Sequence, residues 1–353
     1  MKVGIGLSPA FDLSSWSILH ARGEVPGAIP YGLEHLERFQ LELVRPTRAG
    51  SLIGRIEKGL AKTTGYSWGP AARLVNDSSS DIVLCWDERI GVPANALAHV
   101  LPRARPAVSG VIWLTDGMSR GWKRALSGAA LRSARRVFAL SSAQLPVLHE
   151  QWSIPRRRLR HVLFGVDAKF FSAGRSDPES LLVLGAGNDV HRDHPLLISA
   201  VLSARRRIPG VRCELITRAP IEVPPELGVR RVSVSNQEMR THYQRAQVVA
   251  VALRPNLHVS GISVLLEAMA CGCPVVATDT PGMRDYVDDG TTGLLVPPGD
   301  QQRFAEALTS LLSDPDQCRE MGLRAREQVE LRFNTVAQAG MLADLLREAA
   351  GDG

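Results

Sequence analysis

Cysteine is scarce in this 353-residue chain, and the five present, Cys85, Cys213, Cys271, Cys273 and Cys318, are odd in number and scattered. Cys271 and Cys273 form a C-x-C step, but no second Cys or His pair completes it, so a zinc ribbon and a disulfide framework are both excluded. Small buried thiols in a reducing compartment are the expectation. Lysine is scarcer than arginine, standing only at positions 2, 58, 62, 123 and 169, so arginine carries most of the formal charge of +6. Long apolar runs are missing as well: stretches such as Val248 to Leu253 stop far short of the roughly 20 residues of a membrane span. The start, Met1 to Leu7, lacks the apolar core and cleavage site of a leader and reads as a first buried strand. A cytoplasmic location is expected. No zinc-finger, helix-turn-helix or RNP-like pattern accompanies the arginine clusters at 156–158, 205–207 and 230–231, so no nucleic-acid partner is expected.

What is present is a globular composition, 44% apolar and 22% charged, in a chain long enough for two domains. Short apolar runs alternate with amphipathic stretches, the pattern of parallel sheets flanked by helices. Strands are predicted at Val3–Leu7, Ile82–Trp86, Val108–Leu114, Val137–Leu140 and Arg160–Leu163. Helices are predicted at Gly121–Ser133 and Ala143–Gln151, the second with Ser141-Ser142 as its N-cap. After a break around Phe170 to Pro178 the alternation restarts. It gives strands at 181–184, 212–217, 248–253 and 274–278, and helices at 195–207, 237–245, 262–270, 300–312, 317–331 and 335–349. The predicted class is α/β: two doubly wound domains, residues 1–172 and 173–334, with a ligand cleft between them and the last helix, about 335–353, packed back on the first.

The chemistry concentrates between Val259 and Asp279. A Ser260-Gly261 turn opens a helix whose free amides, near Gly261, Ile262 and Ser263, offer a diphosphate site without a metal. Glu267, one turn on, is placed to accept hydrogen bonds from sugar hydroxyls. Gly272 ends the helix, Pro274 blocks its extension, and a buried strand follows. On spacing alone, an αβ unit with a capping serine and a solvated glutamate fits equally well.

Leu265-Leu266-Glu267-Ala268-Met269-Ala270-Cys271-Gly272-Cys273-Pro274-Val275-Val276-Ala277-Thr278 resembles the donor signature of retaining GT-B glycosyltransferases of family 4. Pro281-Gly282 and the stretch Asp288 to Asp300, read as a loop and hairpin, fit too, as does the interdomain Phe164-Gly165-Val166-Asp167 with Phe170-Phe171. The resemblance implies a GT-B fold, two Rossmann-like domains, and transfer of a sugar from a nucleotide diphosphate with retention. The donor domain is the second; the first takes a sugar, lipid-linked or small-molecule acceptor. It implies no metal and no cofactor, in keeping with the lack of an Asp-x-Asp motif placed to chelate an ion. Glu267 would hold the ribose and the Ser260–Ser263 amides the diphosphate. Two departures stand out. Val259 occupies the place of the family's other glutamate. In the loop 185–193, Arg192 stands for the family lysine, while Gly187 or Asn188 fills the place of an arginine. Arg254, Asn256 and His258 are candidates for the missing charge and sugar contacts.

Weaker signals complete the set. Gly4-x-Gly6 with Ser8 reads as a tight turn facing the cleft, with Gly6 near the donor. Gly185-Ala186-Gly187 suits a phosphate-side turn better than a dinucleotide fingerprint. Asp116 can orient an acceptor hydroxyl or act as base, or simply start a turn. His20, His35 and His99 read as surface residues. The basic segment Arg120–Arg136 can lie on an anionic membrane, at the inner membrane face, or pack as an ordinary helix. A sugar-nucleotide epimerase and a degenerate nucleotide-sugar-binding subunit are the alternative functions.

Overall fold

The computed structural model of the chain describes residues 1–7, 12–44, 51–117, 121–174 and 179–351, with only the backbone of 51–53. It divides into two units, Met1–Trp16 with Leu33–Leu163 and Gln338–Gly353, and Ser17–Gly32 with Phe164–Ala337. The first holds strands β1 (Lys2–Gly6), β2 (Glu42–Val44), β3 (Ile82–Cys85), β4 (Ala107–Val111), β5 (Arg136–Ala139) and β6 (Leu159–His161) in one parallel sheet, ordered β2-β1-β3-β4-β5-β6. The second holds β7 (Glu179–Ala186), β8 (Arg212–Ile216), β9 (Gly228–Arg231), β10 (Ala246–Val251), β11 (Val275–Thr278) and β12 (Gly293–Val296), also parallel, ordered β12-β11-β10-β7-β8-β9. The expected α/β class with two doubly wound sheets is what the chain adopts.

Helices are α1 (Leu13–Ala21), α2 (Ser51–Thr64), α3 (Trp68–Asn76), α4 (Glu88–Val100), α5 (Gly121–Ser133), α6 (Gln144–Glu150), α7 (His194–Arg207), α8 (Asn236–Arg245), α9 (Ile262–Ala270), α10 (Gln301–Ser313), α11 (Pro315–Leu331) and α12 (Thr335–Gly351). Strands covered on both faces read as continuous apolar runs. Accordingly Val183, Leu215, Val248 and Val276 of the second sheet are buried against Val201 and Ala204 of α7 and Leu308 and Leu311 of α10. In the first unit Val111, Val137 and Ala139 pack with Leu131, Leu148 and Trp152. All five cysteines are buried and unbridged.

Three sequence expectations are corrected. The stretch Asp288 to Asp300 is no hairpin: β12 pairs in parallel with β11, Val275 opposite Gly293. The N-cap of α6 is Ala143 rather than a serine; the Ser141 hydroxyl makes no hydrogen bond among the described residues, and the Ser141 carbonyl takes the Gln144 amide at 3.1 Å. Gly4 and Gly6 lie inside β1 rather than in a turn, and a side chain on Gly6 would meet Leu74, 2.7 Å away, so packing explains that glycine. Ser8 and Arg120 lie outside the described residues, as does 175–178, part of the predicted break.

A buried ion cluster ties β8 to α8. Glu214 is 4% exposed, with His242 Nδ1 at 2.9 Å and the Arg231 guanidinium on its other oxygen. The His242 hydrogen bond, helped by Arg231, outweighs burial and holds the carboxyl down at about 2. Its folded pKa lies below its unfolded value, so the unfolded chain binds more protons between these values and stability falls as pH drops through that window. We expect Glu214→Gln to flatten the acid limb of a pH–stability curve below about pH 4.5, a loss on the order of 2–3 kcal/mol above it. Wild-type acid sensitivity in the variant would remove Glu214 from that role.

Candidate functional site

In the second sheet the chain winds β7, β8, β9 one way and β10, β11, β12 the other, so the order reverses between β7 and β10. The carboxyl ends of strands at such a reversal frame a ligand crevice. Two loops leave there, residues 187–193 after β7 and 252–261 after β10. The first is braced from below. The Gly187 carbonyl accepts the Thr217 hydroxyl at 2.8 Å and has His194 Nε2 at 3.1 Å, and Asn188 Oδ1 takes the Arg218 amide at 2.7 Å. Asp193 caps α7 by accepting the Leu196 amide at 3.2 Å.

Arg192 is the centre of the site. It is 7% exposed, and its Nε and Nη1 are buried with no hydrogen-bond partner among the described residues. Burial pushes the guanidinium down to about 10, with Asp189 acting the other way. A buried donor left unpaired is costly, and a buried charge more so, which points to an anion as the missing partner. Gly187 (φ +136°) and Gly261 (φ +87°) flank the guanidinium, and a side chain on either would collide with it. Their absence of Cβ is therefore what lets two loops close on one arginine.

Gly261 is also the N-cap of α9, with no side chain capping the helix. The expectation that amides 260–263 all face a ligand is corrected here. The Ser260 amide donates to Asn256 Oδ1 at 2.9 Å and the Ile262 amide to the Val259 carbonyl at 3.1 Å. Gly261 and Ser263 remain as the amides for an anion, backed by the positive end of the helix. Val259, fully buried, sits at φ +53°. A β-branched residue there is strained, and such strain concentrates at functional sites.

Asp189 gathers the two loops. Its Oδ1 accepts the His191 amide at 2.8 Å and the Ser260 hydroxyl at 3.0 Å, with His191 Nδ1 at 3.0 Å; its Oδ2 stands 3.4 Å from His258 Nε2. Burial raises this carboxyl, but the His258, His191 and Ser260 hydrogen bonds together overcome it and hold the group well below the usual carboxylate range. His258 is 5% exposed, whereas Arg254 is exposed and lends Nη1 to the Val190 carbonyl at 3.4 Å.

Glu267 lies further along α9, where the Tyr243 hydroxyl of α8 donates to its Oε2 at 2.8 Å. Burial pushes Glu267 up to about 7, and the Tyr243 hydrogen bond only partly offsets it. Tyr243, buried and close enough to Arg192 to feel its charge, links the glutamate to the arginine. Gly187, Asn188, Arg192, His258, Ser260, Gly261, Ile262, Ser263 and Glu267 thus belong to one unit and meet at one sheet end. Gly6 and Asp116 belong to the other unit; Asp116 is half-buried at the end of the short helix Leu114–Asp116.

Comparison with known proteins gives the class of enzyme to which the chain belongs. Residues 178–314 match the family model "Glycosyl transferases group 1". The chain is 26% identical over 292 residues to alpha-maltose-1-phosphate synthase of Mycolicibacterium smegmatis, covering 74% of each. It is 29% identical over 290 residues to a GDP-mannose-dependent alpha-(1-6)-phosphatidylinositol monomannoside mannosyltransferase of Mycobacterium tuberculosis, covering 72% of this chain and 74% of that protein. Among solved structures, sucrose-phosphate synthase of Thermosynechococcus elongatus superposes over the full length of both chains with a TM-score of 0.71 at 17% identity. Anabaena HepE in complex with UDP-glucose superposes over 98% of this chain and 99% of its own, with a TM-score of 0.68 at 17% identity. The chain is a GT-B glycosyltransferase.

In this glycosyltransferase the strongest local signals, the 259–278 segment and the 185–193 loop, fall where the sheet order reverses. His258 is already a donor-side candidate in the sequence; Tyr243, Asp189 and His191 are not. Their only trace there is an Asp-x-His step, which spacing alone leaves ambiguous.

Proposed function

We propose that the glycosyltransferase takes a nucleotide diphosphate sugar as donor, transfers the sugar with retention of configuration as a family 4 member, and needs neither metal nor cofactor. The observation that carries this is the buried, unpaired Arg192 guanidinium beside the uncapped start of α9. A diphosphate there pairs with the fork and with the Gly261 and Ser263 amides, and the charge it gains on leaving is met by donors already in place. Glu267 takes the ribose hydroxyls, and Asn188, Arg254 and His258 border the donor. In front-face displacement the leaving phosphate itself deprotonates the acceptor, so no enzymic nucleophile is called for, and Asp116 orients the acceptor hydroxyl. The neighbour bound to UDP-glucose and the GDP-mannose-dependent relative support a nucleotide-sugar donor.

The acceptor is a sugar, a lipid-linked or a small molecule, reached from the cytoplasm. No helix among the described residues is long and apolar enough to cross a membrane. Peripheral contact with an anionic membrane is supported by α5, where Trp122 is 57% exposed beside Lys123 and Arg124. A second reading, a degenerate nucleotide-sugar-binding subunit, draws on Val259, whose buried apolar side chain stands where a sugar-contacting glutamate is expected.

The test joins binding to turnover. Nucleoside diphosphates should raise the melting temperature by mass action, and transfer measured with the matching donor should be unchanged in excess EDTA. Stabilisation without transfer to any acceptor favours the subunit. Loss of transfer on chelation, restored by magnesium or manganese, overturns metal independence.

A further inference from the structure

Asp189, His191 and His258 offer ligand atoms that all lie within 4.8 Å of one another. They come from two loops, the first two from 187–193 and the third from 252–261. The carboxylate edges are already near coordination distance. A tetrahedral zinc ion holding ligands at about 2.0–2.1 Å sets its ligand atoms roughly 3.3 Å apart. Here Asp189 Oδ1 stands 3.0 Å from His191 Nδ1 and its Oδ2 3.4 Å from His258 Nε2, so the carboxylate meets the ion through both oxygens or turns to bring one between the rings. The edge left to close is that between the two imidazoles, whose ring centroids are 5.1 Å apart at 66°. The His258 side chain is 4% exposed, whereas that of His191 is 18% exposed, so closing this edge falls to the less buried His191 ring.

We propose that Asp189, His191 and His258 form a binding site for a late first-row divalent ion of the zinc class, beside the donor pocket and separate from the requirements of transfer. Two imidazoles with one carboxylate suit zinc, cobalt or nickel and disfavour magnesium, which prefers an all-oxygen shell. The outer shell is in place: the Ser260 hydroxyl and the His191 amide already orient the Asp189 carboxylate. On binding, each ring nitrogen that faces Asp189 turns its lone pair to the ion, and its proton moves to the other ring nitrogen or to solvent. Asp189 then exchanges its contacts with the two imidazoles for the ion, while the Ser260 hydroxyl and the His191 amide keep their hold on it. The adjoining Arg192 gains a doubly charged neighbour that outweighs the single charge of the Asp189 carboxylate, which offsets its burial in the free protein. Occupancy should therefore inhibit.

The site goes beyond metal-independent transfer but is placed relative to that donor pocket, so its test reads metal directly. Titrating the metal-free full-length chain with Co²⁺ should give visible d–d absorption, and Zn²⁺ should displace it. His191→Ala should weaken Zn²⁺ binding in calorimetry by about tenfold or more, and Asp189→Asn should abolish the cobalt spectrum. In activity assays, transfer that survives EDTA should fall as Zn²⁺ is added, and His191→Ala should resist it. No cobalt absorption, or equal Zn²⁺ affinity in wild type and His191→Ala, overturns the site while leaving metal-independent transfer standing. Transfer abolished by EDTA with the cobalt spectrum intact overturns metal independence and the separateness of the site from transfer, but not the site.

Discussion

Arg192→Met should lower turnover by roughly a hundredfold or more, with a smaller change in donor affinity, while making the ligand-free protein harder to melt. The two effects have one cause. In the free protein the guanidinium is 7% exposed with Nε and Nη1 unpaired, so the fold bears the desolvation of a charge. Replacing it by an apolar side chain of similar length relieves that cost, by about 1–2 kcal/mol on the scale of other buried-charge replacements. The relief is partial because Asp189 already offsets some of the burial. In the transition state the same charge faces a leaving diphosphate whose negative charge is growing, and a fixed cation favours that state over the bound ground state. Arg192→Lys should recover part of the rate, a point charge replacing a fork imperfectly. Steady-state kinetics and melting curves on the two variants decide the matter. Wild-type turnover in Arg192→Met would shift the role to Arg254, whose guanidinium is exposed and hydrogen-bonded to the Val190 carbonyl. An unchanged or lower melting temperature would mean that Arg192 has a structural partner which the ligand-free geometry does not show.

How much of this was legible beforehand depends on how local each determinant is. The helix Ile262–Ala270 was read residue for residue, because a Ser-Gly start, a Gly-Cys-Pro stop and an apolar stripe are all written within it. Arg192 is legible as a phosphate-side residue through the family resemblance, which sets it in the place of a lysine in the loop after a strand. Its lack of a partner is not, since that depends on Gly261, far along the chain, closing over the guanidinium. Tyr243 carries no local mark of its bond to Glu267; only the packing of α8 on α9 creates it. The same holds for residues 17–32, which join the second unit through contacts such as the Gly27 amide on Asp167 Oδ2 at 3.1 Å. No periodicity announces such a contact. Strand β9 is short and largely exposed at a sheet edge, and α4 is buried along one whole stretch with Pro93 inside it, so neither shows the pattern of a regular element.

Glu267→Ala should weaken nucleoside diphosphate binding by about 1–3 kcal/mol, the cost of hydrogen bonds lost from a charged acceptor. The pH dependence is the sharper part of the prediction. Burial first, with the Tyr243 hydroxyl opposing it, leaves the Glu267 carboxyl at about 7. Its folded pKa lies above its unfolded value, so between pH 4.5 and 7 the folded ligand-free chain binds more protons than the unfolded one. The stability Glu267 contributes is thus fully present at low pH and is lost as pH rises through that window. Nucleotide binding runs the opposite way. Ribose hydroxyls donate to a carboxylate better than to a neutral acid, so affinity should climb as pH rises through about 7, and bound nucleotide should lower the pKa in turn. Glu267→Gln keeps the shape and removes the titration, so its affinity should lie below that of wild type at high pH and lack this rise. Any slope that remains then belongs to the nucleotide's own phosphate. Tyr243→Phe deletes the one hydrogen bond that favours the charged form, so the affinity midpoint should move to higher pH while the high-pH plateau stays near wild type. Calorimetric titration of wild type, Glu267→Gln and Tyr243→Phe between pH 5.5 and 8.5 on a common nucleotide reads all three. Parallel profiles for wild type and Glu267→Gln would show that the carboxyl does not meet the ribose, and an unmoved midpoint in Tyr243→Phe would leave Tyr243 as packing alone.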